Sequence, residues 1–171
     1  VKELIETHHN VLAVAAFPDE LIEDGEAFAR VWTSWCTAVR MLSQRGGSFA
    51  IVAPDYSRLW ETDAYAKFCE RHVFDTQVVD GCALRFEFQN HFVTAGWIVA
   101  SDDSYFINQF SGLRCTGGHP HISPSPEEEH AAFDLIPVPL CHRVVRSWMK
   151  SVAASQLMMG AVPSCGDVDG D

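Results

Sequence analysis

The densest group of metal-ligating residue types lies in the segment RCTGGHPH, which carries Cys115, His119 and His121. Cys141 and His142 follow further along the chain. Thiolate sulfur and imidazole nitrogen are the ligands that Zn²⁺ takes in tetrahedral protein sites. The segment contains no CxxC or HxxxH pair and matches no standard zinc finger. It therefore predicts either a zinc site that uses Cys115, His119 and His121, or a glycine- and histidine-containing loop that leads into a helix.

A second group of polar residues follows three apolar segments, residues 10–17, 48–53 and 73–79. In an open parallel sheet ligands bind beyond the carboxyl ends of the strands, so these side chains are expected to face one crevice. The carboxylates are candidate acid or base groups and the serine is a candidate hydrogen-bond donor. The alternative is ordinary turn chemistry, because Pro-Asp and Asp-Gly are common loop dipeptides. The candidate catalytic set is Asp19, Pro54, Asp55, Ser57 and Asp80.

A third candidate is the thiol of Cys82 in VVDGCALRF, directly after the third apolar segment. A thiolate there would be reactive if its pKa were lowered. No histidine is placed beside it in the sequence, so a buried structural thiol is the alternative. The chain contains no GxGxxG and no glycine-rich phosphate loop.

The elements that would position these residues alternate. Residues 10–17, 48–53 and 73–79 have the apolar pattern of buried strands, and helices are predicted after Gly25 and after Thr62. Residues 91–100 form a fourth strand that is too close to the third for a crossover and therefore runs antiparallel. The expected fold is an α/β three-layer sandwich with a mostly parallel sheet and one antiparallel strand.

The second half of the chain is less regular. SDDSYFINQF predicts a short capped helix, and residues 112–126 predict a loop that is rich in Gly, Pro, Ser and His. Pro137 and Pro139 open a last helix with an apolar stripe formed by Leu140, Val144, Val145, Trp148, Met149 and Val152. Residues 1–160 are assigned to a single domain, and residues 161–171 to an acidic disordered tail.

Composition limits the partners and the setting. The chain has 12 Lys and Arg against 23 Asp and Glu, a formal charge of -11. Such a charge repels phosphate backbones, so nucleic-acid binding by this chain alone is not expected, and any positive stripe would have to be built by folding. Widely spaced cysteines and the lack of a long apolar run predict a soluble intracellular protein, cytoplasmic or nuclear, with no membrane association.

The order of the pieces over residues 11–97 resembles the back half of a class I, Rossmann-like methyltransferase of the cytosine-type DNA family, closest to degenerate relatives in phages and retroelements. In that family a strand ends in a Pro-Cys loop that supplies the catalytic cysteine. NVLAVAAFPDE is similar in position, but Pro18 is followed by Asp19.

The segment FAIVAPDYSRLW resembles the Glu-Asn-Pro type turn of the same family. Pro54, Ser57 and Trp60 agree with that turn, whereas Val52 and Ala53 stand where the Glu and Asn would be. The third strand, with its Asp-Gly-Cys end and a reversed strand after it, resembles the closing hairpin of the family, and RCTGGHPH is similar to a Cys and His stretch of the retroelement relatives.

The resemblance implies a methyltransferase-like domain of a mobile-element-type protein, catalytically impaired, with S-adenosylmethionine as the cofactor of the family. The cofactor-binding front half does not occur in this chain. The first strand, residues 11–17, is then an open sheet edge that an upstream segment of the parent polypeptide or another chain would cover. The alternatives are a non-enzymatic interaction or scaffold domain and a small zinc-binding module.

Overall fold

A four-stranded sheet forms the centre of the fold in a computed structural model that describes residues 10–122 and 136–160. Its strands are β1 (Leu12–Ala15), β2 (Ser48–Pro54), β3 (Asp75–Asp80) and β6 (Gly96–Ser101), in the order β1-β2-β6-β3. β1 pairs parallel with β2, and β6 pairs antiparallel with both β2 and β3. The predicted α/β class and the single reversed strand are therefore confirmed.

A second, smaller sheet contains β4 (Glu87–Phe88), β5 (His91–Val93) and β7 (His121–Ile122). The prediction of one strand over residues 91–100 was wrong, because the chain leaves the small sheet after β5 and enters the central sheet at β6. The predicted loop over residues 112–126 was also wrong in part, because β7 pairs parallel with β5. Both errors have the same cause: short strands are specified by their partners rather than by their own pattern.

Five α-helices accompany the strands within the described residues: α1 (Asp19–Glu23), α2 (Gly25–Ser43), α3 (Asp63–Cys69), α4 (Ser104–Asn108) and α5 (Val138–Gly160). The helices predicted after Gly25 and after Thr62, the short helix in SDDSYFINQF and the last helix are all present. Each N-terminus of α2, α3 and α4 is capped by a polar side chain, from Asp24, Thr62 and Asp103 respectively. α1 was not predicted, and it begins at Asp19, which was assigned to a loop.

The core occupies both faces of the central sheet. Phe49, Ile51 and Ala53 of β2 pack with the apolar stripe of α2 and with Phe68 of α3. The alternate residues of β2, Ala50 and Val52, pack with residues of β3, β6, α4 and α5 on the other face. A strand that is apolar at every position is thus explained by helices on both of its sides.

The buried stripe of α5 differs from the prediction. Leu140 and Val144 are buried, but Val145 and Met149 are 58% and 66% exposed. Ser147 and Ser151 are buried in their place, and the Ser151 hydroxyl donates a hydrogen bond to Asp103. A hydrogen-bonded partner at the N-cap of α4 makes a serine acceptable at a buried position of α5. The sequence of α5 alone does not reveal that partner.

Two predictions fall outside the described residues. The acidic tail over residues 161–171 is one, and the part of the predicted 112–126 loop after residue 122 is the other. Within the described ranges, the search for a helix that is long and apolar enough to cross a membrane finds none.

Candidate metal centre

Four side chains with metal-ligating atoms converge where the small sheet meets the end of β3. They are Cys82, Cys115, His119 and His121, and one ligand atom from each lies within 4.8 Å of every other. Cys115 Sγ lies 3.5 Å from His121 Nε2 and 3.8 Å from His119 Nε2. The two Nε2 atoms are 3.0 Å apart.

These separations suit a tetrahedral ion. With Zn–S near 2.3 Å and Zn–N near 2.05 Å, a tetrahedron requires S···N distances of about 3.6 Å and N···N distances of about 3.3 Å. The observed distances bracket the first value and fall within a few tenths of an ångström of the second. Two thiols and two imidazoles form a standard ligand set for zinc, and the spacing of Cys115, His119 and His121 fits that ion.

Cys82 reaches the cluster through a tight 3-10 turn, Gly81–Leu84, that follows β3 directly. Gly81 is buried, and its N–H donates to the Ala95 carbonyl at 2.9 Å. Arg85 closes the turn in the left-handed conformation, φ 57, and donates its N–H to the Cys82 carbonyl. This turn directs the Cys82 side chain toward the end of the small sheet.

Cys115 is held by Asp80, the last residue of β3. The Asp80 carboxylate accepts the Cys115 N–H at 2.6 Å and the Arg114 guanidinium at 3.1 Å. The N–H of Gly117 donates to Cys115 Sγ at 3.3 Å. Gly117 and Gly118 both have positive φ, 76 and 83, so the chain turns back at this point and brings the two histidines to the cysteine.

The histidines are positioned by the small sheet. His121 is the first residue of β7 and pairs with Phe92 of β5. The Phe92 ring lies 4.7 Å from the ring of His119. The parallel pairing fixes His121, and the aromatic contact orients His119. The four candidate ligands thus come from two segments, the turn after β3 and residues 115–121.

The electrostatics of the centre disfavour a free thiolate at Cys82. Burial raises the pKa of the Cys82 thiol to about 11, together with a hydrogen bond between this thiol and the Cys115 side chain and the nearby Asp80 charge. A reactive nucleophile requires a lowered pKa. A bound cation would reverse this balance, because metal ligation removes the thiol proton.

The predicted catalytic residues are divided between two places. Ser57 donates to the Asp19 carboxylate at 2.7 Å, which joins the loops after β2 and β1. Asp80 belongs to the metal centre. Pro54 ends β2, and its carbonyl accepts the Trp60 indole N–H at 2.7 Å, while the Asp55 N–H donates to the Gly96 carbonyl.

The contact between Ser57 and Asp19 has a structural role. Ser57 is 3% exposed, and its Oγ also accepts the Leu59 N–H at 3.2 Å, so it caps the 3-10 turn Arg58–Glu61. The described part of the chain brings no histidine into hydrogen-bond contact with the pair. The Ser57 hydroxyl therefore donates to a carboxylate and not to the imidazole of a Ser-His pair.

The sequence prediction of the metal ligands identified three of the four residues. From the sequence, Cys82 is interpreted as a reactive or a structural thiol and not as a ligand, because 33 residues separate it from Cys115 in the chain. Cys141 lies apart: it is exposed, and its sulfur donates to the Ile136 carbonyl at 3.5 Å. One indication in the sequence that Cys82 could be a ligand is its position at a strand end, directly after a glycine.

Comparison with family models, with characterised proteins and with solved structures gives no match. The functional interpretation of this chain therefore depends on its own geometry.

Proposed function

We propose that this chain is a zinc-binding α/β domain in which Cys82, Cys115, His119 and His121 hold a structural Zn²⁺ ion. The observation that carries the proposal is the mutual distance of the four ligand atoms, all within 4.8 Å. Four protein ligands fill a tetrahedral ion and leave no position for water or substrate. Structural zinc sites have this closed form, whereas catalytic sites keep one position open.

The role of the ion would be to hold the small sheet against the central one. The small sheet has strands of only two or three residues, and sheets of that size have little stability of their own. A zinc ion at its end would connect the turn after β3, the loop after Cys115 and β7. Metal binding to the folded chain alone adds its binding free energy to the stability of the fold.

Elemental analysis of protein purified under reducing conditions without added metal tests the proposal. We expect one zinc per chain in the wild type, and a large loss of zinc in Cys82→Ser and in His121→Ala. Cys141→Ser is the matched control, because this exposed cysteine lies outside the cluster. Wild-type protein that contains no stoichiometric zinc and takes up none on titration would refute the proposal.

We propose as a second candidate function a degenerate methyltransferase-like domain of the mobile-element type, with impaired catalysis. Two observations support it. The reversed strand β6 lies between β2 and β3, as in the closing hairpin that the resemblance implies. The contact between Asp19 and Ser57 also joins the two loops that carry the resemblance. On this proposal the finer fold is a three-layer, partial Rossmann-like sandwich, and Asp19 in place of the catalytic cysteine accounts for the impairment.

Calorimetry with S-adenosylmethionine tests this second candidate. The measurement uses the chain alone and the chain joined to its upstream sequence. Binding by the longer protein only is the expected result, since the cofactor-binding half of the family does not occur in this chain. If neither protein binds, the cofactor proposal is rejected, and the zinc proposal is unaffected because its measurement is independent.

The scaffold alternative is supported by the open edge of β1. β1 is the end strand of the central sheet among the described residues, and a groove of about 550 Å³ runs between it and α2. Val14 and Val31 are 42% and 43% exposed at this edge. A partner strand supplied by an upstream segment or by another chain would pair with it. Sedimentation at increasing concentration tests for self-association, and a monomer throughout argues against a second copy as the partner.

A further inference from the structure

A groove between α2 and α3 concentrates positive charge in a chain whose net charge is -11. Its volume is about 750 Å³, which is within the size range of small-molecule sites. Arg40 lies on the α2 side, and Lys67 and Arg71 lie on the α3 side. Asp63 is the one carboxylate among the described residues that line the groove.

Two of the three cations, Arg40 and Arg71, lie near the same thiol, that of Cys36. The Cys36 thiol also lines the groove, and burial raises its pKa. The positive charges of Arg71 and Arg40 lower the pKa of this thiol, but by less than burial raises it. Arg40 and Arg71 are 31 residues apart in the sequence. Folding therefore builds a positive site that the scattered basic residues of the sequence do not indicate.

None of the three cations is neutralised within the described ranges. The ion pairs found there join Arg58 to Glu23 and Arg114 to Asp80. Among the charged side chains that line the groove, the three cations and the Asp63 carboxylate leave a net charge of +2 (3 - 1 = 2). Like charges that face each other without a partner repel, and an anion between them would remove that repulsion.

The floor of the groove is aromatic and rigid. Trp32 and Phe68 are buried beneath it and pack against each other at 5.6 Å. The His72 ring stacks on Phe68 at 4.3 Å. Guanidinium groups on opposite walls of such a groove can each donate two hydrogen bonds to the oxygens of one tetrahedral anion.

We propose that the groove between α2 and α3 binds a small phosphate-bearing ligand through Arg40, Lys67 and Arg71. A phosphate monoester carries a charge of about -1.5 to -2 at neutral pH, which matches the local charge of the groove. The overall negative charge of the chain favours a small ligand over a nucleic-acid backbone, because a long polyanion would also meet the acidic surface. This site is separate from the zinc centre and does not depend on it.

The test is a titration of the full chain with inorganic phosphate at constant ionic strength, followed by amide chemical shifts. Adenosine monophosphate is titrated in parallel. We expect shifts confined to α2 and α3 and a Kd on the order of 1 mM or lower for phosphate. Tighter binding of the nucleotide assigns the ligand to nucleotides, and equal affinities assign recognition to the phosphate group alone.

Two double variants distinguish phosphate binding in the groove from general attraction of phosphate to positive charge. Arg40→Gln combined with Arg71→Gln is expected to weaken phosphate binding at least about tenfold, since two charge-assisted hydrogen-bond donors are lost. Arg30→Gln combined with Arg146→Gln removes the same charge from exposed positions outside the groove and is expected to bind as the wild type does. Equal weakening in the two double variants, or no saturable binding by the wild type, overturns the proposal. All four arginines are exposed or line the groove, and thermal unfolding confirms that each variant is folded.

Discussion

Replacement of Gly81 by alanine is expected to destabilise the fold, because a methyl group has no space at this position. A Cβ at residue 81 would lie 2.9 Å from the Ala95 carbonyl oxygen, 3.0 Å from the Trp97 ring and 3.3 Å from Val93 Cγ2. All three distances are shorter than ordinary carbon contacts, which are about 3.5 to 4.0 Å. Trp97 and Val93 are fully buried, so neither side chain can move aside.

The loss of stability in Gly81→Ala depends on how far residue 81 and its neighbours must be displaced. Overpacking a closed core site costs about 1 to 3 kcal/mol. Displacement of residue 81 would also lengthen its 2.9 Å hydrogen bond to Ala95 and shift Cys82, the neighbouring candidate metal ligand. For a chain of this size each kcal/mol lowers Tm by roughly 2 to 4 °C. The expected change is therefore a Tm lower by several degrees, together with weaker zinc binding.

The assay is thermal unfolding followed by tryptophan fluorescence, with zinc content measured on the same samples. Gly25→Ala is the matched control, because Gly25 begins α2 and a Cβ there meets nothing within 4 Å. That change is expected to be neutral or to stabilise the protein by up to about 1 kcal/mol. If Gly81→Ala unfolds at the wild-type midpoint, the packing argument for this turn is refuted.

Three further predictions follow from contacts elsewhere. Asp80→Ala is expected to lower zinc affinity by roughly 10- to 100-fold in a chelator competition, because it removes the acceptor of the Cys115 N–H. Ser57→Ala is expected to lower the free energy of unfolding by about 1 to 2 kcal/mol in urea titrations, since the buried Leu59 N–H loses its partner. Burial raises the pKa of the Asp102 carboxyl. The contribution of this group to the stability of the fold is therefore fully present below the ordinary carboxyl pKa and is lost as pH rises through the raised pKa. Asp102→Asn is expected to remove this decline from the curve of stability against pH, because the asparagine does not titrate, while its side-chain oxygen still accepts the Phe49 N–H.

Each of these three predictions has a result that contradicts it. Unchanged zinc affinity in Asp80→Ala would mean that the carboxylate does not hold Cys115 in the metal-binding position. A wild-type unfolding midpoint for Ser57→Ala would show that the cap is dispensable. A wild-type pH profile for Asp102→Asn would assign the decline to other groups.

The elements of the central sheet could be predicted from the sequence because their signals are local. The apolar run of β2 and the helical spacing of Phe28, Trp32, Trp35, Val39 and Leu42 each specify an element and its buried face. Val31 also falls at helical spacing, but it lies at the edge of that stripe and is 43% exposed beside β1. Position along a helix predicts the middle of a buried face better than its margins.

The small sheet and the fourth metal ligand could not be predicted in the same way. β4, β5 and β7 contain two or three residues each, too few for a periodic pattern. Cys82 joins Cys115 only because the Asp80 carboxylate, at the end of a central strand, accepts the N–H of Cys115. That contact joins residues that are 35 positions apart, and the sequence pattern around neither residue predicts it.

The sequence by itself determined the α/β class, the reversed strand and three of the four candidate ligands, since each depends on residue type and spacing within a short window. Tertiary structure alone decided that Cys82 completes the set of candidate ligands. It also decided that Asp80 orients Cys115 and does not face a crevice with Asp19. The placement of Arg40, Lys67 and Arg71 around one groove likewise depends on the tertiary structure. The physical reason is the same throughout. Sites are formed by side chains from separate elements, and the packing of those elements depends on the whole core.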